Sequence, residues 1–292
     1  MPTDAPALPV GLLAQFYRAQ ARDLPWRRAN AGPWAVLVSE FMLQQTPVSR
    51  VLPAFEAWLE RWPSPAALAA DAPGDAIRAW GRLGYPRRAL RLHAAATQIV
   101  VQHDGVVPWE VDDLLALPGV GDYTARAVAA FAHRQRVPVV DTNVRRVLNR
   151  IVRGNDDAGP ATAADRALLE PLLPVEDVAA AELSAALMEL GATVCTSVRP
   201  RCDKCPVREH CRWLADGRPA RTVHAVKQAW HGTDRQVRGR ILALLQAAPG
   251  AVAADDIAAL WPDDTQRERC LGSLLHDGLL ARTPAGTFVL PG

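Results

Sequence analysis

The chain has 292 residues, of which 49% are hydrophobic and 22% are charged, and its formal net charge is +2. This length allows two domains with sizeable cores, and the composition excludes disordered and collagen-like proteins. No segment is apolar for long enough to cross a membrane, and Met1 to Pro9 lacks the features of an export signal, so we expect a soluble cytosolic protein.

Most of the chain before residue 190 has the residue spacing of α-helices. A short amphipathic helix is predicted from about Leu8 to Ala19, and helical patterns interrupted by Pro and Gly run from Trp34 to Leu190. Val137 to Val140 is the exception, because β-branched residues dominate this run. We therefore predict an all-α core.

The C-terminal region is predicted to form a small separate domain. Residues 217–233 are poorly periodic and are interpreted as a linker. Helical spacing returns in three segments, Asp234 to Gln246, Ala254 to Trp261 and Asp264 to His276. Two short β-like runs then flank a turn at Pro284, Ala285 and Gly286. Three helices and a hairpin indicate a winged-helix-like domain, which serves either in DNA binding or in protein packing.

Positive charge is concentrated in two stretches of the chain. From Arg199 to Arg240 there are eleven Arg or Lys residues against four Asp or Glu residues. From Arg134 to Arg153 there are six arginines, and Asp141 is the only acidic residue. Clusters of this kind attract phosphate backbones, although solvated helix faces have the same composition.

Four of the five cysteines have the spacing C-x6-C-x2-C-x5-C, at Cys195, Cys202, Cys205 and Cys211. Thiolates this close in a cytosolic chain are more typical of a metal site than of disulfides. A [4Fe-4S] cluster is the first interpretation, and zinc, with His210 as a possible ligand, is the alternative. Cys270 lies outside this group and is expected to be a small core residue.

The stretch LPGVGDYT, from Leu117 to Thr124, predicts an anion site. Gly119 and Gly121 allow the backbone to approach a partner closely, and the helix that begins near Asp122 offers free amides at its N-terminus. Taken alone, two glycines with this spacing are weak evidence, because they more often form a plain turn. After the apolar turn Val111 to Leu115, the arrangement resembles a helix-hairpin-helix motif, which grips a DNA strand without reading bases.

Two carboxylates lie in contrasting contexts. Glu40 has apolar helical neighbours at Val36, Leu37 and Leu43, so desolvation favours its neutral, protonated form. Asp141 ends an apolar run and begins a helix, so it is a candidate N-cap whose ionised form the helix amides and nearby arginines favour. Where environments push the pKa values of two carboxyl groups apart in this way, the group with the higher pKa can act as the acid and the other stays an anion. A buried ion-paired glutamate and a plain N-cap are the structural alternatives.

Several motifs resemble a known family. The run MELGATVCTSVRPRCDKCPVREHC is similar to the cluster loop of the endonuclease III and MutY superfamily of DNA glycosylases. The motifs SEFMLQQT, LGY and VVDTNVRRV closely resemble those of MutY-type adenine DNA glycosylases, and the match runs from about Leu24 to Cys211. The chain departs from the family pattern at Thr142, at Pro86, and in its short C-terminal region, where many members carry a NUDIX-like domain.

This resemblance implies a role for each motif residue. Glu40 is the implied general acid that protonates adenine, Asp141 stabilises the cationic sugar, Asn143 orients the reacting groups, and Tyr123 lines the pocket. Tyr123 stands where bifunctional relatives carry a nucleophilic lysine, so an enzyme without Schiff-base lyase activity is expected. The residues expected to contact DNA are Gln44, Gln45, Thr46, Tyr85, Leu117, Gly119, Gly121, Arg145, Arg146, Arg199 and Lys204.

The resemblance also implies the overall organisation. The expected fold is mainly α, with a helix-hairpin-helix glycosylase core in 1–216, split into a six-helix part at about 30–137 and an iron-sulfur part formed by the N-terminal helix and 138–216. The linker 217–233 and the winged-helix-like domain 234–292 follow, in place of a NUDIX-like domain.

The expected function is removal of adenine paired with 8-oxoguanine or guanine in double-stranded DNA, with a [4Fe-4S] cofactor, by a monomer in the bacterial cytoplasm at the nucleoid, without membrane contact. The alternatives are a glycosylase of another base preference, such as thymine from T:G, or a noncatalytic iron-sulfur DNA-binding protein.

Overall fold

The computed structural model describes residues 8–157, 159–220 and 231–292, and these residues are predominantly helical. Within them the only strands are the two short ones near the C-terminus, so the predicted all-α core is confirmed. The run at 137–140 has no regular secondary structure and pairs with no strand in the described chain. None of the described helices combines the length and the apolar character needed to span a membrane.

The helices are, in chain order, α1 (Val10–Gln20), α2 (Pro33–Leu43), α3 (Val48–Arg61), α4 (Pro65–Ala70), α5 (Pro73–Trp80), α6 (Arg87–Gln102), α7 (Val111–Leu115), α8 (Asp122–His133), α9 (Thr142–Leu148), α10 (Ala163–Leu169), α11 (Asp177–Thr193), α12 (Arg212–Ala215), α13 (Asp234–Ala247), α14 (Ala254–Ala258) and α15 (Asp264–His276). A π-helical turn, Asn149–Arg153, continues α9, and short 3₁₀ turns lie at Pro25–Arg27, Glu170–Leu172, Cys202–Lys204 and Arg208–His210. The strands are β1 (Ala281–Arg282) and β2 (Phe288–Val289).

Contact density divides the chain into two units, each built from separated stretches of sequence. The described part of the first unit comprises 8–36, 109–112, 121–157 and 159–220, and that of the second comprises 37–108, 113–120 and 231–292. The predicted domain boundaries stay predictions, and the middle of the predicted linker, 221–230, lies outside the described residues.

The first unit is organised around α11. Helices α1, α8 and α9 pack against it, and Leu183, Leu187 and Leu190 are almost completely buried. Glu189 is also buried and receives hydrogen bonds from Arg22 (Nε, 2.6 Å) and Arg27 (Nη1, 2.8 Å). These two guanidiniums hold its pKa below the usual range despite its burial, so the carboxylate fastens the N-terminal segment to α11.

The second unit contains a tryptophan cluster and also the C-terminal segment. Trp58 packs edge-on against Trp62 and Trp80, and all three are 1% exposed. Helix α13 contacts α5 in the same unit.

The predicted order of three helices and a hairpin is present in the C-terminal segment. Strands β1 and β2 are antiparallel with Arg282 opposite Phe288, and Gly286 (φ +80°) forms the predicted turn. Val252 adds a further bridge to Phe288. The winged-helix-like assignment of 234–292 stays a prediction.

Candidate functional site

The motif QQT follows the C-terminus of α2, and the motif LGY lies in the turn between α5 and α6. Gln45 (φ +55°) and Tyr85 (φ +48°) both have left-handed backbone conformations, which are uncommon for residues with a side chain. Gln44 is half-buried, Gln45 is exposed, Thr46 is buried, and Tyr85 is 45% exposed. Strained backbone of this kind persists only where the surrounding structure imposes it.

Arg88, in the first turn of α6, supplies that constraint. Its guanidinium donates to the carbonyl oxygens of Phe41 (2.8 Å), Met42 (3.0 Å), Gln44 (2.6 Å) and Gly84 (2.9 Å), and to Oγ1 of Thr46 (2.9 Å). The side chain is buried, and burial lowers its pKa to about 10, so it stays charged at neutral pH. Arg88 therefore fastens the QQT segment to the LGY turn.

Glu40 lies three residues before the end of α2 and is 5% exposed. Its helix is apolar on several sides, since Leu37 and Phe41 are both fully buried. The buried position predicted for Glu40 is thus confirmed. Its role as an acid stays a prediction.

Asp141 and Asn143 lie in the first unit, at the N-terminus of α9. Oδ1 of Asp141 accepts from the backbone N–H of Val144 (2.7 Å), which is the predicted N-cap, and its Oδ2 accepts from Nδ2 of Asn143 (2.8 Å). Oδ1 of Asn143 in turn accepts from Nη2 of Arg146 (2.7 Å). The pair is therefore fixed in orientation by hydrogen bonds within a single helical turn.

The groups predicted to favour the ionised form of Asp141 are present, but they do not decide the direction in which its pKa moves. Burial raises the pKa of this carboxyl above its usual value, and this outweighs the hydrogen bonds from Val144 and Asn143 and the charge of Arg146. Desolvation by packed neighbours, which the local sequence does not reveal, is the largest influence on the pKa of Asp141. Asp141 is consequently a partly buried carboxylate whose hydrogen bonds do not offset its desolvation.

The two arginines that follow Asp141 make contacts inside the protein. Nε of Arg145 donates to Oδ2 of the buried Asp165 (3.0 Å). Arg146 donates from Nε to the carbonyl of Cys195 (2.8 Å) and from Nη2 to that of Gly191 (2.7 Å). Their contact with DNA stays a prediction, and Arg146 connects the Asp141–Asn143 pair to the beginning of the cysteine loop.

Gly191 permits the close packing of α11 against α9. A Cβ atom at this position would lie 2.7 Å from Cβ of Asn143 and 2.9 Å from its carbonyl oxygen. Distances under 3.0 Å require a shift of the neighbouring atoms. The absence of a side chain at residue 191 thus helps to set the position of Asn143.

The LPGVGDYT stretch forms the predicted turn and helix start. Gly119 (φ +81°) approaches Phe41 and Arg91 so closely that a Cβ would lie within 3 Å of both side chains. Gly121 is the exposed N-cap of α8, with open space where a side chain would be. Leu117 is 2% exposed. Tyr123 is partly buried and packs against Ala127, Ala130 and Val139.

Cys195, Cys202, Cys205 and Cys211 all line one pocket in the first unit, which Leu190, Val194 and Trp213 also line. Arg150, 1% exposed, donates from Nη1 to Sγ of Cys195 (3.2 Å) and lies over the Trp213 ring. Burial raises the pKa of the Cys205 thiol to about 11. Arg199 and Lys204 are exposed on the same loop. Four sulfur ligands around one cavity fit a polynuclear cluster.

Three comparisons with known proteins bear on this geometry. A family model described as HhH-GPD superfamily base excision DNA repair protein matches residues 38–174. The chain is 55% identical over 285 residues to adenine DNA glycosylase of Mycolicibacterium smegmatis, covering 97% of this chain and 96% of that protein. It is 39% identical over 216 residues to the human adenine DNA glycosylase, covering 69% of this chain and 38% of the human protein.

Solved structures share the fold at low identity. A thermostable thymine-DNA glycosylase superposes with a TM-score of 0.62 at 24% identity, covering 71% of this chain and 95% of that one. A trapped endonuclease III–DNA intermediate superposes with a TM-score of 0.60 at 21% identity, covering 71% and 94%. These likenesses establish an endonuclease III-like fold. Since the sequence identity to a bacterial relative extends over nearly the whole of both chains, the protein belongs to the adenine DNA glycosylases of the helix-hairpin-helix base excision repair superfamily.

Proposed function

We propose that this enzyme hydrolyses the glycosidic bond of adenine mispaired with 8-oxoguanine or guanine and leaves the DNA strand intact. The observation that carries the proposal is the Asp141–Asn143 pair, a partly buried carboxylate held in place by Asn143 and by the N-terminus of α9. Such a group can stabilise positive charge that develops on a sugar during bond cleavage. Burial of the second carboxyl, Glu40, supports an acid role for that residue.

The proposed reaction divides the work between these two carboxyl groups. Adenine is first flipped out of the duplex, at a cost of about a few kcal/mol that a mispair reduces. Protonated Glu40 donates its proton to the base, and the bond between C1′ of the sugar and N9 of adenine breaks. The hydroxyl of a water molecule adds to C1′ while its remaining proton returns to Glu40. Asp141 stays anionic and stabilises the cationic sugar throughout.

The absence of lyase activity is proposed from the residue types. Strand cleavage by this superfamily requires an amine that attacks the sugar to form a Schiff base. Tyr123 occupies the corresponding position near the start of α8, and its phenol cannot form that intermediate. The sequence contains two lysines, Lys204 in the cysteine loop and Lys227 outside the described residues.

We further propose that the four cysteines hold a [4Fe-4S] cluster. All four cysteines line one pocket of the first unit. Four thiolates are the usual ligand set of a [4Fe-4S] cluster, and zinc is the alternative that elemental analysis would distinguish. The bound cluster would cross-link the loop. The loop itself presents Arg199 and Lys204 to a phosphate backbone.

DNA contacts are proposed for the start of α8, for the QQT motif and for the LGY turn. The exposed Gly121 and the first amides of α8 suit a phosphate, because Gly121 has open space where a side chain would be. Gln44 and the exposed Tyr85 are proposed to enter the helix beside the lesion and to meet the opposite base. The left-handed backbones at Gln45 and Tyr85, next to carbonyls that Arg88 binds, give the rigidity that such probes need.

The test is a single-turnover assay on duplexes containing A:8-oxoguanine, A:G, T:G and an oxidised pyrimidine, each with and without alkali. We expect adenine release from the first two duplexes and strand breaks only after alkali treatment. Faster processing of T:G than of both adenine substrates would contradict the proposed substrate. Strand breaks without alkali would contradict the monofunctional mechanism. No excision from any duplex would favour a noncatalytic DNA-binding protein.

A further inference from the structure

The C-terminal segment is fastened to the helix that precedes the LGY turn. Nη1 of Arg78, in α5, donates to the carbonyl oxygens of Gln246 (2.6 Å) and Ala248 (2.8 Å) at the end of α13. In return, Nε2 of Gln246 donates to the carbonyl of Ile77 (2.7 Å). The last carbonyls of a helix lack partners within it, so these bonds satisfy groups that packing would otherwise leave unpaired.

A second fastening involves the helix that follows the turn. The Asp277 carboxylate is 3% exposed and pairs with Nη2 of Arg238 in α13 (2.6 Å). It also pairs with Arg87, the first residue of α6 and two residues after Tyr85. The Asp277 carboxylate joins α13 to α6, because it pairs with one guanidinium from each helix. Removing either arginine would leave the charge of this buried carboxylate poorly compensated.

A third fastening is a backbone contact. The N–H of Gly74, in the first turn of α5, donates to the carbonyl of Pro291 (2.7 Å). A Cβ at Gly74 would lie 2.4 Å from that oxygen, so only glycine permits the approach. The C-terminal segment thus holds the helices on both sides of the turn that carries Tyr85.

Arg235, at the start of α13, lies over the Tyr85 ring with its Cζ 5.1 Å from the ring centroid. Cζ of Arg88 is 5.6 Å from the same centroid. Contacts of a guanidinium with an aromatic face restrict the ring and are attractive within about 6 Å. Tyr85 therefore has one partner in the body of the second unit and another in the C-terminal segment.

We propose that Arg235 is a positioning residue for Tyr85, through which the C-terminal segment sets the preference for 8-oxoguanine over guanine opposite adenine. The inference rests on the proposed function of Tyr85 as the probe of the opposite base. Arg235 acts by fixing the ring and makes no base contact itself. A segment that is far in sequence from the catalytic motifs thereby takes part in specificity.

The experiment uses the full-length protein and compares Arg235→Ala with Arg240→Ala. Arg240 is a matched control because it is exposed on the same helix and lies over the Trp261 ring, also at 5.1 Å. The readout is the ratio of single-turnover excision rates for A:8-oxoguanine and A:G at saturating enzyme. We expect the Arg235→Ala ratio to fall by about two- to five-fold, as loss of one cation–π contact allows, and the Arg240→Ala ratio to stay unchanged.

Coupling to Tyr85 distinguishes positioning from a direct DNA contact. In a Tyr85→Ala background, Arg235→Ala should change the ratio no further. An equal loss of affinity for all duplexes, with a shallower salt dependence and an unchanged ratio, would instead assign Arg235 to a phosphate and overturn the proposal. An equal change in both arginine variants would also overturn it. If the unaltered protein excises no adenine, the proposed function itself fails, whereas an unaltered ratio in Arg235→Ala refutes only this inference.

Discussion

Adding one methyl group at Gly191 should disable the active site while leaving the fold largely intact. The new Cβ would lie 2.7 Å from Cβ and 2.9 Å from the carbonyl oxygen of Asn143. Ordinary contact needs about 3.4 Å or more, so the start of α9 must move by about 0.5–1 Å. Asn143 holds Oδ2 of Asp141, and the carboxylate must therefore move with it.

The expected losses in stability and activity differ in size. Overpacking costs about 1–3 kcal/mol, and alanine regains about 1 kcal/mol of helix propensity over glycine, so unfolding free energy should fall by at most about 2 kcal/mol. A displacement of about 1 Å in catalytic groups can cost about 100-fold in rate. Urea denaturation and single-turnover excision of adenine measure the two quantities separately.

Two other helical glycines provide controls for this substitution. Gly239 in α13 and Gly272 in α15 have no atom within 4 Å of an added Cβ. Alanine at either position should stabilise the protein by about 0.5–1 kcal/mol and leave excision unchanged. Excision by Gly191→Ala at the unaltered rate would refute the idea that this close approach positions Asn143.

Further changes test the remaining parts of the site. Arg88→Met should lower the unfolding free energy by about 3–5 kcal/mol, because several buried carbonyls lose their donor, and a denaturation midpoint equal to that of the unaltered protein would contradict this. Glu40→Gln should nearly abolish excision yet retain affinity for the lesion duplex in a gel-shift titration; a normal rate would return Glu40 to a structural role. Asp141→Asn should also abolish excision, but without loss of stability at neutral pH. Burial raises the folded-state pKa of Asp141, so its ionisation destabilises the fold as pH rises through that pKa, and asparagine removes this penalty. The unfolding free energy of the variant minus that of the unaltered protein should therefore be larger at pH 7 than at pH 4. A smaller difference at pH 7 would contradict the sign. Anaerobically purified protein should contain about four iron atoms per chain, and stoichiometric zinc without iron in elemental analysis would exclude the cluster.

Local sequence patterns predicted those features that depend on nearby residues. Asp141 caps α9 as expected because its partner, the N–H of Val144, is three residues away. Glu40 is buried as expected because its helical neighbours are apolar. Gly286 forms its turn for a similar reason. In each case the determining groups lie within one or two turns of the chain.

Features that depend on distant partners were not predicted. Arg88 binds the carbonyl of Phe41, 47 residues earlier, and Arg146 binds that of Cys195, 49 residues later. Backbone oxygens carry no mark in the sequence, so neither arginine differs from a solvated one until the helices are packed. The rise in the pKa of Asp141 was not predicted for the same reason, since the desolvation that causes it comes from packing that the local sequence does not show.

The discontinuity of the second unit has a consequence for synthesis. Residues 37–108 and 113–120 leave the ribosome long before 231–292, yet Gly74, Arg78 and Arg87 bind atoms in that later stretch. During translation these three groups lack their partners until residues 121–230 have been synthesised. Contacts between residues this far apart in sequence form slowly, so we expect the second unit to complete its folding after the first. Until then its unpaired surfaces favour aggregation, so we expect chaperones or a low growth temperature to raise the yield of folded protein. A fusion placed directly after Gly292 would lie beside the Gly74–Pro291 contact, which favours affinity tags at the opposite end of the chain.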